Sequence, residues 1–154
     1  MADKMKINDQ VTVGPQPTEQ GIKQLSQHGF KTVVNFRTEG EEEQPLAPSA
    51  EGEMVRAAGL KYLHIPVSMK SMGSELVDEF RTKYAELPKP VFAHCKSGTR
   101  AGAMVMMHTA IEQGMSGEET LKQAEEMGFE CKQAELRQFV QHYVDSHSKS
   151  KSSY

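Results

Sequence analysis

A chain of 154 residues fits one domain around one core, and a hydrophobic content of 37% is enough to build it. The formal net charge of −3 gives no support to a nucleic-acid-binding surface, which usually carries clustered Lys and Arg, and no apolar run reaches the length of a membrane span, so neither a nucleic-acid nor a membrane partner is expected. "MADKMKINDQ" has no apolar signal segment, which points to the cytoplasm, and two cysteines, Cys95 and Cys131, are too few for a disulfide framework or a zinc ribbon.

In chain order, "VTV" (11–13) predicts a strand running into the turn "GPQP". Thr18 then caps a helix carrying Ile22 and Leu25 that stops at Gly29. The β-branched run "KTVVNF" (31–36) predicts a strand, followed by the acidic loop "RTEGEEEQPLAPS" and a helix ending near Gly59. "KYLHIPV" (61–67) predicts a strand closed by Pro66, and a helix beginning near Ser74 carries Leu76, Phe80, Tyr84 and Leu87 at helical spacing. "VFA" (91–93) predicts the last strand, and residues 101–111, apolar almost all round, a buried helix. Ser116 and Glu119 form a capping box, and Leu136, Phe139, Val140, Tyr143 and Val144 outline the last helix. Residues 1–147 read as a single domain and 148–154 as a disordered tail. Strands separated by helices require crossovers, so the class is α/β: a mostly parallel central sheet flanked by helices on both faces. Such sheets bind ligands outside the carboxyl ends of their strands, which is where Cys95 falls.

The stretch "HCKSGTR" (94–100) has the makings of a reactive site. A cysteine attacks as its thiolate, which a helix N-terminus and a nearby cation stabilise. Here Lys96, Ser97, Gly98, Thr99 and Arg100 follow the thiol: Gly98 lets the loop curl so that its amides converge on an anion, and Arg100 offers a planar fork to two oxygens. Ser97 and Thr99 add hydroxyl donors.

This stretch resembles the HCxxGxxR phosphate loop of cysteine-dependent protein tyrosine and dual-specificity phosphatases. Those enzymes place five residues between Cys and Arg; here there are four, the loop length of rhodanese-type sulfurtransferases. The ordered motifs "GPQPT", "NFRTEGE", "HIPV" and "HCKSGTR", between residues 13 and 111, are similar to the small bacterial phosphatase-like proteins also found fused to metallo-β-lactamase-type hydrolases. The resemblance implies a protein-tyrosine-phosphatase-like fold, Cys95 as nucleophile, Arg100 as oxyanion binder and His94 shaping the loop and assisting the thiolate. It also places Asn35, Arg37 and Glu41 near the pocket. Two departures stand out: Ala101 follows the arginine where tyrosine phosphatases carry Ser or Thr, and Ser68 and Met69 occupy the place where dual-specificity enzymes carry their acid Asp.

Other polar residues read more simply. Cys131 lacks such partners, and His64, His108, His142 and His147 show no metal-ligand spacing, so no metal is expected. Met104, Met106 and Met107 are core residues, and no cofactor is implied. The leading functional reading is hydrolysis of phosphate monoesters through a cysteinyl-phosphate, on a phosphorylated small molecule or a phosphoprotein. The alternatives are sulfur transfer through a Cys95 persulfide, on a sulfur-bearing small substrate, and an inactive oxyanion-binding module. The sequence does not set the oligomeric state.

Overall fold

The computed structural model describes residues 5–38, 46–68, 73–95, 99–127 and 134–151. In chain order these form β1 (Met5–Asn8), β2 (Val11–Pro15), α1 (Glu19–Gln27), β3 (Thr32–Asn35), α2 (Pro48–Ala57), β4 (Lys61–His64), α3 (Ser74–Tyr84), β5 (Val91–Cys95), α4 (Thr99–Gln113), α5 (Gly117–Met127) and α6 (Ala134–Lys151). The sheet runs β1-β2-β5-β3-β4. All neighbours are parallel except β1, which pairs antiparallel with β2. The sequence reading did not foresee β1, because Met5 and Ile7 alone supply its alternation.

Two apolar layers enclose the sheet. Ile22 and Leu25 of α1 and Val55 of α2 cover Val33 and Phe92 on one face. On the other, Val13, Val34, Ala93 and Cys95 meet α3, α4 and α6. Helix α4 is buried on nearly every side, from Ala101 to Ile111, which its uniformly apolar sequence demands. The Thr18 cap forms, its hydroxyl accepting from Gly21 N–H, and the chain leaves α1 through Gly29 at φ 90°. Ser116 and Glu119 exchange both capping-box hydrogen bonds, at 2.8 and 3.1 Å. Helix α6 continues to Lys151, overlapping the segment read as tail from residue 148.

One glycine fixes how α5 meets α6. A Cβ on Gly117 would stand 2.4 Å from the Gln141 carbonyl oxygen and 2.6 Å from its Cα. The Gly117 N–H also donates to Asp145 Oδ1 at 2.7 Å. Alanine is the better helix former, by less at the first residue of α5 than the roughly 1 kcal/mol of a helix interior, but the opposing group is backbone and cannot swing aside. The clash decides the sign: Gly117→Ala is expected to lower stability by about 1–3 kcal/mol, read as an earlier midpoint in denaturant unfolding.

Candidate active site

Strand β5 lies between β2 and β3, so chain segments that are consecutive in sequence part around it, and its carboxyl end opens a crevice. Cys95 occupies that end. The parallel register sets Pro15 beside Cys95, and Gly14 and Asn35 beside His94, so Gln16 and Arg37 emerge on the same edge.

Alternation along β5 sends neighbouring side chains to opposite faces. Cys95, 1% exposed, points into the layer of α3, α4 and α6, and its Sγ accepts the Ala101 backbone N–H at 3.4 Å. Ala101 stands in the first turn of α4, whose N–H groups carry the positive end of the helix dipole, so the position that bears a hydroxyl in tyrosine phosphatases gives its main chain to the sulfur instead. Arg100 precedes it in that turn and anchors by donating from Nη1 to the Val67 carbonyl at 2.7 Å. Cys95 and Arg100 are thus brought to one place.

His94 points the other way. Its ring stacks on Phe92 and meets Glu51 of α2, Nε2 to Oε2, at 2.5 Å. The second carboxylate oxygen, Oε1, accepts from Gln16 Nε2 at 2.7 Å, and Gln16 Oε1 accepts from Arg37 Nη1 at 2.7 Å. His94 and Glu51 are wholly buried and Arg37 is 1% exposed, while Gln16 between them is half-buried, so these side chains lie largely inside the molecule, on the face of β5 opposite the thiol. Asn35 sits beside it: its Oδ1 accepts the Arg37 backbone N–H, and its Nδ2 donates to the Tyr62 hydroxyl. Burial pushes the Tyr62 phenol well above its ordinary value, against the smaller opposing effect of the Asn35 hydrogen bond, so it stays protonated. His64 Nε2 donates to the Arg37 carbonyl at 2.6 Å.

Of the residues the sequence pointed to, Cys95, Arg100, His94, Asn35 and Arg37 gather at this carboxyl edge. Thr99 opens α4. Lys96, Ser97, Gly98, Glu41 and Cys131 lie outside the described residues. Gln16, Glu51 and His64 received no role from the sequence. Gln16 lies within the "GPQPT" motif, and Glu51 shares the buried side of α2 with Pro48, Gly52 and Val55, so an acidic residue on an apolar face was its available signal. A cavity of about 330 Å³ between α2 and β4, lined by Ser49, Arg56, Tyr62 and His64 among others, borders the same region. Another, of about 540 Å³, lined by Gln10, Arg81, Lys89, His108 and Glu112 among others, lies toward the amino ends of β2 and β5, away from Cys95. Among the described residues no group of three metal-ligating side chains converges, and no helix is long and apolar enough to cross a membrane.

Residues 3–113 match the family model described as the phosphatase-like domain of beta-lactamase hydrolase-like proteins. A beta-lactamase hydrolase-like protein of Agrobacterium fabrum is 37% identical over 108 residues, which are 70% of this chain and 25% of that protein. The chain therefore spans about a quarter of the length of that curated relative. Among solved structures, a candidate phosphatase of Neisseria meningitidis superposes with a TM-score of 0.75 at 26% identity, covering 90% of this chain and 96% of that one. The Pseudomonas aeruginosa protein TpbA, solved as a Cys-to-Ser variant with phosphotyrosine, superposes with a TM-score of 0.72 at 20% identity over 99% of this chain and 92% of that one, a likeness of fold. The four ordered motifs, the parallel sheet with a cysteine ending its central strand, and the match over residues 3–113 agree: the chain belongs to the phosphatase-like domain family of the beta-lactamase hydrolase-like proteins, with a protein-tyrosine-phosphatase-like α/β fold.

Proposed function

We propose that the chain is a cysteine-dependent phosphatase that hydrolyses phosphate monoesters, with Cys95 as nucleophile and Arg100 as oxyanion binder. The observation that carries this reading is the placement of the Cys95 sulfur on the Ala101 N–H, at the amino end of α4, with Arg100 in the same helical turn. A helix N-terminus and a guanidinium favour both a thiolate and the charge on a transferring phosphoryl group.

The thiolate attacks phosphorus, and the bond to the ester oxygen breaks with its electron pair staying on that oxygen, which takes a proton. Water then attacks the cysteinyl-phosphate, the P–S electrons return to sulfur, and inorganic phosphate leaves. Arg100 and the loop amides offset the developing charge in both steps. The substrate class is a phosphorylated small molecule or a phosphoprotein.

The weak point of this chemistry is protonation of the leaving group, since Ser68 and Met69 stand where related enzymes carry an Asp. A positioned acid contributes about 10²–10⁴-fold. Activated aryl phosphates, whose phenolates leave unaided, are therefore expected to turn over measurably and alkyl phosphates weakly. Glu41→Gln deepens that difference if Glu41 is the donor. A leaving-group series in steady-state kinetics checks this, and equal rates for both ester classes, unmoved by Glu41→Gln, would contradict it.

The four-residue spacing from Cys95 to Arg100 favours a second reading, sulfur transfer. There the thiolate takes the outer sulfur of thiosulfate as a persulfide, sulfite departs, and cyanide carries the sulfur away. Aryl-phosphate hydrolysis and thiosulfate-to-cyanide transfer measured side by side decide between the two.

A further inference from the structure

His94 and Cys95 are adjacent in sequence but face opposite sides of β5. The imidazole therefore serves the thiol through the backbone they share rather than through space. That backbone is pinned: the His94 carbonyl accepts the Phe36 N–H at 2.9 Å, within the ladder that places Asn35 opposite His94. What remains to be fixed is the ring, and Glu51 fixes it from α2.

Glu51 is wholly buried, and its two oxygens face two different partners, His94 Nε2 and Gln16 Nε2. Of the two neutral imidazole tautomers, the one with its proton on Nε2 matches a carboxylate, which only accepts, and it leaves the lone pair on Nδ1. Among the described residues, His94 Nδ1 is the buried side-chain atom without a hydrogen-bond partner. A buried carboxylate and an orphaned ring nitrogen are both costly, and an apolar pair of the same volume would avoid both costs. Packing alone does not account for them.

We propose that Glu51 is a positioning residue for Cys95: it holds His94 in the Nε2–H tautomer and one ring orientation, and through residue 94 it sets the direction in which the thiol leaves β5. The inference rests on the assignment of Cys95 as nucleophile. Gln16 supports it from the other side, tying the carboxylate to Arg37 and, through a second hydrogen bond of 2.8 Å, to the Leu46 carbonyl. The logic is that of a carboxylate fixing a histidine tautomer behind a nucleophile, here one strand residue removed from the reacting atom.

The test uses Glu51→Gln, which keeps the shape but whose amide can donate to Nε2 and so stabilise the opposite tautomer. Nitrogen-resolved NMR of His94 is expected to show Nε2–H in the wild type and Nδ1–H in the variant. Alkylation of Cys95 by iodoacetamide at neutral pH and kcat for an aryl phosphate should each fall roughly tenfold or more, with KM little changed. Glu51→Asp, which retains the charge, should recover part of both rates. A switched tautomer with wild-type alkylation and kcat overturns the proposal, and so does an Nδ1–H tautomer in the wild type, a reading that needs no variant. Alkylation and NMR need no phosphoester, so they judge Glu51 even if the wild type shows no phosphatase turnover, a result that would count against the function proposed above instead.

Discussion

Cys95→Ser is expected to lose aryl-phosphate turnover by roughly three orders of magnitude or more, while keeping its fold and its affinity for inorganic phosphate. The site explains why the two effects separate. The sulfur is 1% exposed and packed among apolar side chains, where a smaller hydroxyl fits without displacing neighbours. The Ala101 N–H keeps an acceptor, so no buried donor is orphaned. A serine hydroxyl, however, is not ionised near neutral pH, so the attacking anion is lost. Steady-state kinetics and phosphate calorimetry on the same preparation check both halves. Turnover close to wild type in the serine variant would remove Cys95 from the mechanism.

The second large effect is expected at Arg100. Arg100→Lys keeps the charge, yet kcat should drop by about 10²–10³-fold, the cost typical of losing a transition-state donor. One guanidinium nitrogen is committed to the Val67 carbonyl, which aims the planar group from the segment following β4. A guanidinium oriented in this way is a rigid planar donor matched to two oxygens of an oxyanion, a geometry that an ammonium cannot reproduce. Thermal unfolding should change little, because Arg100 is not fully buried and the lysine keeps the charge and a donor for the Val67 carbonyl. Wild-type kcat in Arg100→Lys would show that the fork geometry is not used.

The framework was legible because it depends on local signals. The β-branched run in β3, the apolar sequence of α4, the Thr18 cap and the Ser116–Glu119 box each point to one local structure, and each is present. β1 escaped notice because two apolar residues in a polar tetrapeptide make no period. "VFA" was too short a reading of β5, which runs on through His94 and Cys95; a polar residue inside a buried strand breaks the apolar pattern even when α2 supplies its partner.

The site divides along the same line. Cys95, Gly98 and Arg100 are close in sequence, so the chemistry proposed for them was open to a reading from spacing, although Gly98 lies outside the described residues. Glu51 and Gln16 lie 43 and 78 positions before His94 and are brought to it by the register of β2 against β5 and the docking of α2. Sequence spacing carries no trace of that meeting. Arg37, which the resemblance placed near the pocket, lies buried, its guanidinium turned inward onto Gln16.

The most direct test of the central claim is rapid-quench mass spectrometry of the peptide containing Cys95 during turnover of an aryl phosphate. A phosphoryl group is expected on the Cys95 sulfur, forming before free phosphate accumulates and absent from Cys95→Ser. An unmodified Cys95 throughout turnover, or a Cys95 persulfide after thiosulfate with no phosphatase turnover, would contradict it.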